Sequence, residues 1–498
     1  MRECTIRSAT IQGVDAIPVN VEVAITQGLP GMAIVGMPDA AIQEARERIR
    51  AAIRACGFEM PRGKVVVNLA PGFIRKTGSG FDLPIAVGLL AASKQISYSF
   101  VEGKLIVGEL SLEGQAKSVR GMLAYLLCAK EQKLGLLCPP TEDNLAAWSD
   151  QTVEECRSLL DFMTGDFTPS SHLVADDAPH FADYADVGGH ATAKRALQIA
   201  ATGHHGVLLM GPPGSGKTML ASRLSSILPE LTKQERIESA RIHSIVGADL
   251  GGIFAGRPPF RAPHHSATMA GLIGGGNPVR PGEISLAHNG VLFLDELAEF
   301  PPNVLQSIRQ PLEQGRIVVT RAAGNITMPA RFMLVAASNP CPCGYYGDEK
   351  VSCSCSVTQV SNYQNRIGGP LIDRIDICLD VWRSDFDEVV GGGAKGMDSA
   401  TLREGVLAGR HFAERRRRNR ARKLLSAHDM MVECDMDEQT TRYFKSMAEA
   451  NILSGRAIMR VLSVARTIAD IEQSARVRKA HVAEALNLRV RSTIGGPQ

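Results

Sequence analysis

Apolar and polar residues alternate in short runs through the first third of the chain. Val21–Ile25, Ala33–Val35 and Lys64–Asn68 carry the pattern of half-buried strands. Ala40–Cys56 and Leu83–Ser93 instead space their apolar residues as helices do, and Arg46, Arg48, Arg50 and Arg54 give the first of these a basic side. The mixture predicts an α+β domain over residues 1–165.

The pattern dissolves between Met163 and Ala185, where Pro, Ser, Thr and Asp predominate, and a linker is expected over 166–186. A helix at Ala191–Ala201 then leads into an apolar strand, Val207–Met210, with further buried-type strands at Val291–Leu294 and Phe332–Ala337. Strands alternating with helices predict an α/β domain, a parallel sheet covered on both faces, over 187–384. Residues 385–400, with Gly391–Gly393 together, read as a hinge, and the tail from 401 to 498 is helical by pattern, most plainly at Ala457–Ile471. No internal repeat is visible.

Composition bounds this picture. A chain of 498 residues exceeds one compact core, so two or three domains are expected. Hydrophobic residues at 44% and charged residues at 21% are ordinary for a soluble protein. No apolar run approaches the roughly 18–20 residues that cross a bilayer. No apolar stretch follows the first six residues either, so a cytoplasmic protein without membrane partners is expected. The net charge of +3 makes no case for nucleic acid, and any such affinity must come from local patches.

The chemistry begins at Gly211-Pro212-Pro213-Gly214-Ser215-Gly216-Lys217-Thr218, which follows a strand and opens a helix. Glycines let successive N–H groups turn toward phosphate oxygens, Lys217 neutralises phosphate charge, and the Thr218 hydroxyl can hold Mg²⁺. The signal specifies an ATP site. About 80 residues on, the buried strand Val291–Leu294 ends in Asp295 and Glu296. With a P-loop present, Asp295 steadies the Mg²⁺ shell and Glu296 activates the attacking water. The next strand ends at Ser338-Asn339, where Asn339 reads as a γ-phosphate sensor or as a cap to the turn before Pro340. Arg374, flanked by Asp373 and Asp376, reads on its own as a structural ion pair.

Eleven cysteines include four in one segment, Cys341, Cys343, Cys353 and Cys355. They fit a tetrahedral structural Zn²⁺, against redox-labile thiols or buried cysteines in a tight loop. The remaining seven read as small buried residues. The basic run Arg415–Arg418 with Arg420, Arg422 and Lys423 is either a phosphate contact or a solvated helix face.

Taken together these motifs resemble the ComM/YifB family of magnesium-chelatase-like AAA+ ATPases. The resemblance covers nearly the whole chain. It rests on the block Gly282–Leu297, on Phe260-Arg-Ala-Pro-His264-His265, on Asn339-Pro-Cys-Pro-Cys-Gly-Tyr-Tyr-Gly-Asp and on Arg466-Thr-Ile-Ala-Asp. It implies that Arg374 is an arginine finger and Arg456 a second sensor on a helical lid. It also implies a helix-2 insert at His243–Gly282, a hairpin at Arg316–Met328, and Arg321 and Arg261 as DNA contacts. The first domain resembles the Lon-protease (ribosomal S5 domain 2-like) fold, with Asp82 where a nucleophile would stand. Lys76 and Ser79, three residues apart in a Gly-rich loop, form no evident dyad. Gly189-His190 departs from the family's Gly-Gln before the first AAA+ helix, which bears on the adenine pocket.

The implied function is a hexameric ATP-driven translocase on single-stranded and branched DNA, promoting branch migration in recombination during natural transformation, with recombination proteins as partners. The alternatives are a chelatase subunit that inserts Mg²⁺ into a tetrapyrrole and an ATP-dependent protease.

Overall fold

A computed structural model describes residues 2–170, 182–321, 324–384, 397–417 and 427–489. The N-terminal strands are β1 (Arg2–Gln12), β2 (Asp15–Thr26), β3 (Gly31–Val35), β4 (Lys64–Ala70), β5 (Lys104–Ile106), β6 (Glu109–Leu110), β7 (Ala116–Lys117), β8 (Gly135–Cys138), β9 (Val153–Glu155) and β10 (Thr168–Pro169). Eight of them form one sheet, ordered β10-β9-β8-β5-β1-β2-β4-β3, while β6 and β7 pair separately. Strand alternation sets its faces: Val19, Val21 and Val23 of β2 are buried while Glu22 points outward. The register Ile6↔Val21 keeps the apolar sides of β1 and β2 together. Helix Asp82–Ala92, almost wholly buried, packs on this face. Helix Ala40–Ala55 is capped by the Asp39 side chain and buries Ile42, Ile49 and Ile53.

The expected linker begins later than position 165. Thr168 and Pro169 form β10 against β9, at the sheet's edge. A proline cannot donate to a ladder but is tolerated on an edge strand, which is why this segment reads as a linker by composition.

The second sheet comprises β11 (Val207–Met210), β12 (Phe260–Arg261), β15 (Val291–Leu294), β18 (Met333–Ser338) and β19 (Ile377–Asp380). Its order is β12-β15-β18-β11-β19 and every pairing is parallel. Near-continuous apolar strands with both faces covered give this arrangement. It is the parallel AAA+ sheet expected from the sequence. Two small hairpins hang from it: β13 (Gly274–Gly275) with β14 (Arg280–Pro281), and β16 (Arg316–Arg321) with β17 (Gly324–Pro329).

The expected hinge lies mostly outside the described residues, which resume at 397. The tail is helical where described: Ser399–Arg417, Ala427–Cys434, Glu438–Ala450, Gly455–Ile471 and Lys479–Asn487. Val461, Leu462, Ala465 and Ile468 join the same apolar cluster as Leu197, Ala200 and β11. Of the basic run, Arg418, Arg420, Arg422 and Lys423 lie outside the described residues. Arg416 is not a solvated charge. It is half-buried between Asp470, at 3.1 Å, and Glu433.

The N-terminal sheet is packed onto the ATPase part. Arg241 pairs with Asp15 at 2.6 Å, and Gly121 N–H donates to Ser244 C=O at 3.0 Å. Leu123 and Leu126 share an apolar cluster with Ala240 and Ile253. The β1–β2 turn lies so close to β17 that a Cβ on Gly13 would meet Ile326 Cγ2 at 2.6 Å.

Candidate nucleotide site and thiolate loop

Parallel pairing puts the C-terminal ends of β11, β15 and β18 at one edge, with Met210 beside Ser338 and Leu294 beside Ala336. In open α/β sheets that edge is where ligands bind. Beyond β11 the chain curls through Gly214 at φ +75° and Gly216 at φ +82°, conformations that glycine adopts without strain, and enters the helix Lys217–Ser222. Lys217 Nζ donates to Gly211 O at 2.8 Å, Pro212 O at 2.9 Å and Asn339 Oδ1 at 3.3 Å. Burial lowers the Lys217 pKa to about 8, with the Asp295 charge acting in opposition.

Thr218 Oγ1 donates to Asp295 Oδ2 at 2.8 Å, so the hydroxyl and carboxylate that would flank Mg²⁺ already adjoin. Asp295 Oδ1 accepts from the Glu296 N–H at 2.9 Å. Glu296 itself sits at φ +50°, an uncommon conformation for a residue with a side chain. The Glu296 carboxylate meets His265 Nδ1 at 3.0 Å. The P-loop, Asp295 and Asn339 thus converge, with Glu296 next to Asp295 and the Asn339 amide oxygen, just past the end of β18, accepting from Lys217.

Among the described residues Arg374 forms its ion pair with Glu313 and not with Asp373 or Asp376. Its Nη2 lies 2.6 Å from Glu313 Oε1, its Nη1 donates to Pro370 O at 2.6 Å, and its buried Nε has no hydrogen-bond partner among the described residues. Asp376 is held instead by Arg460 at 2.7 Å and by the Gly206 N–H. Arg456, far more exposed, lies 3.7 Å from the same Glu313 oxygen.

The four clustered cysteines bring their sulfurs within 4.8 Å of one another. Cys341, Cys343 and Cys353 are separated by 3.4 to 3.7 Å. A tetrahedral metal with bonds of about 2.3 Å needs sulfurs roughly 3.8 Å apart, so the set could hold a metal ion. At Cys343 burial raises the thiol pKa. N–H groups of Tyr345 and Ser354 and the thiols of Cys341 and Cys355 outweigh that and bring it to about 5. One thiolate therefore stands ready at neutral pH. The loop adjoins the nucleotide site: a Cβ on Gly344 would meet Pro213 Cδ at 2.5 Å, and Arg383, stacked on Tyr345, donates to Pro213 O at 3.4 Å.

The magnesium chelatase subunit ChlI family matches residues 183–389, its N-terminal ChlI part matches 21–142, and its C-terminal part matches 396–489. The competence protein ComM of Haemophilus influenzae is 41% identical over 494 residues, 97% of this chain and 96% of its own. The chain belongs to the ComM/YifB family of magnesium-chelatase-like proteins. A second member, the uncharacterized protein YifB of Escherichia coli, is 39% identical over 489 residues, 96% of this chain and 95% of its own. The magnesium-chelatase 67 kDa subunit of Chlorobaculum parvum is 30% identical over only 161 residues, 32% of this chain and 23% of its own.

Among the family's expected pore elements, Arg321 stands exposed at the end of β16. A Cβ on Gly275 of β13 would lie 3.5 Å from Arg321 Nη2, so hairpin and insert adjoin. Arg261 is differently placed: it lies on β12 and makes a two-pronged pair with Glu283 at 2.6 and 2.8 Å. In the N-terminal domain, Asp82 is buried against Arg48, Ser79 donates to Glu109, and Lys76 Nζ donates to Pro71 O. Ser79 and Lys76 are thus turned to separate partners. His190 reaches over the P-loop, where a Cβ on Gly216 would meet its Nε2 at 3.3 Å.

Three residues went unassigned from sequence. His265 stands inside the motif Phe260-Arg-Ala-Pro-His264-His265, and that motif was the available signal. Glu313 and Arg383 carry no local pattern, because their partners are distant in the chain.

Proposed function

We propose that this chain is an ATP-hydrolysing motor that moves along DNA and promotes branch migration during recombination, including uptake of transforming DNA. What supports the reading is that the insert carries both His265, 3.0 Å from Glu296, and Gly275, beside the exposed Arg321 at the end of β16. The name of the Haemophilus influenzae relative, a competence protein, supports the biological setting.

In this reading the P-loop N–H groups and Lys217 bind the phosphates of ATP. Thr218 and Asp295 hold Mg²⁺, which when bound neutralises developing charge on the phosphoryl oxygens. Glu296 takes a proton from water as the water oxygen bonds to the γ-phosphorus and ADP departs. Asn339 orients the γ-phosphate. Arg374 and Arg456, gathered on Glu313, belong to a face presented to the next copy, so each site is completed by its neighbour. A closed ring of six subunits with DNA in its pore follows, with Arg321 from each copy facing inward. Arg261, committed to Glu283, braces the insert instead. The thiolate loop holds a structural Zn²⁺.

The chelatase alternative is weaker, because the likeness to the Chlorobaculum parvum subunit covers so little of either chain. Proteolysis is disfavoured by the separation of Ser79 from Lys76. The deciding experiment measures ATP hydrolysis with and without single-stranded and four-way-junction DNA. Stimulation that vanishes in Glu296→Gln supports the motor, whereas turnover indifferent to every DNA sinks it.

A further inference from the structure

We infer that Glu313 is a positioning residue whose carboxylate aligns Arg374 and Arg456 as one unit toward the ATP of the neighbouring copy. The inference rests on the proposed assignment of both arginines to the neighbour's site. One oxygen, Glu313 Oε1, lies 2.6 Å from Arg374 Nη2 and 3.7 Å from Arg456 Nη2. Three separate elements meet there: the end of helix Pro302–Gln314, the turn after Gly369–Ile372 and the start of helix Gly455–Ile471.

Helix stability does not account for this meeting. An acid near a helix C-terminus and a cation near a helix N-terminus both oppose the helix dipole. Glu313 is the last residue but one of its helix, and Arg456 is the second residue of its own. The burial of Arg374 supplies a reason for the carboxylate instead. Its side chain is 7% exposed, and a charge so enclosed needs a counter-charge to stay in place. Arg374 Nη1 donates to Pro370 O, while the buried Nε has no partner among the described residues. The guanidinium is thus held at one end, with a donor left for an incoming oxygen. The Arg456 side chain is 63% exposed, so its looser contact biases its direction without fixing it. Glu313 therefore acts mainly through Arg374. Cations assist phosphoryl transfer in proportion to how well they are placed beforehand.

The test measures steady-state ATP hydrolysis, and binding of a fluorescent ATP analogue, for wild type, Glu313→Ala and Glu313→Gln. Glu313→Ala should lower kcat about 10²-fold, as a small misplacement of a catalytic group can, and leave KM and analogue binding unchanged. Glu313→Gln keeps an acceptor oxygen without the charge and should fall between. A kcat equal to wild type in Glu313→Ala overturns the inference, and so does weaker analogue binding. Two comparisons separate positioning from a merely structural role. Added to Arg374→Ala, Glu313→Ala should cost little further, and an additive loss counts against the inference. Mixed with Glu296→Gln, Glu313→Ala should recover part of the rate, because sound arginines then face a sound base across the subunit boundary. If Arg374→Ala recovers in the same mixture and Glu313→Ala does not, the role of Glu313 is wrong. If neither recovers, the assignment of Arg374 to the neighbour's site falls, and this inference with it.

Discussion

Arg48 grips Asp82 through two hydrogen bonds, of 2.7 and 3.0 Å, where the Lon-like fold would place a nucleophile. Asp82 is wholly enclosed, and the Leu110 N–H donates to it as well. Burial raises the Asp82 pKa, and the Arg48 bonds and charge counter that rise. Asp82 is thus an anchor between helix Ala40–Ala55 and helix Asp82–Ala92.

Removing one partner of an enclosed ion pair costs about 3–5 kcal/mol. Arg48→Ala should therefore lower the denaturation midpoint of the N-terminal part sharply without touching the P-loop. The loss has a pH signature. A carboxyl whose folded pKa is raised favours the folded state at low pH and opposes it as pH climbs through that pKa. Without Arg48 the pKa rises further, so the variant's deficit should shrink as pH falls. A pH-independent deficit in urea titrations would contradict this account.

Lys217 makes a prediction about protons. In the free site its pKa is about 8, so below that pH the ammonium is present with or without nucleotide and no proton is exchanged. Phosphates favour the charged form. Above about pH 8, binding of ATP should draw a proton from solution. Calorimetry at pH 9 in buffers of different ionisation enthalpy should show net uptake that fades by pH 7, and Lys217→Met should abolish it. Uptake that is equal at both pH values would be inconsistent with the lysine as its source.

Loss of the general base should cost about 10²–10⁴-fold in turnover. Glu296→Gln should fall in that range while binding ATP normally, whereas Lys217→Ala should lose binding. An arginine finger contributes about 10³–10⁵-fold. Arg374→Ala and Glu296→Gln should each be nearly inactive, yet mixing the two should restore part of the rate. Sites would then form with a sound base on one subunit and a sound finger on the next. No recovery on mixing would place Arg374 in its own subunit's site.

For the thiolate loop, purified protein should contain about one metal per chain, and Cys343→Ser should lose most of it. After metal removal, Cys343 should alkylate first at pH 6, as its low pKa leaves it ionised there. Nucleotide affinity should fall too, since Gly344 and Arg383 bear on Pro213. Equal alkylation of all four cysteines would argue against the assembled cluster.

Much of this molecule could be read from its residues. The strands Val207–Met210 and Val291–Leu294 stand where expected, because buried parallel strands announce themselves as short apolar runs. The P-loop was legible because phosphate binding demands glycines at fixed positions. What escaped depended on folding back: Glu313 joins Arg374 to Arg456, and Arg416 meets Asp470, across separations that leave no local trace. β10 escaped for the opposite reason, because its proline and polar neighbours look like a connector. Arg321 and Arg261 were equal candidates by type, and only three-dimensional placement separates the exposed end of a strand from a bound brace.

The seat of the β1–β2 turn against Ile326 has a mechanical consequence. A hairpin free on one side could swing on its base alone, but this one is wedged by a second sheet at Gly13 and pinned nearby by Asp15 on Arg241. In the proposed motor, a stroke that lifts β16 and β17 must either carry the whole N-terminal sheet along or pry it loose. In the first case the sheet adds its bulk to the moving arm, and a crosslink between Gly13→Cys and Ile326→Cys would leave stepping intact. In the second it acts as a catch, and the same crosslink would stall the motor with ATP still bound.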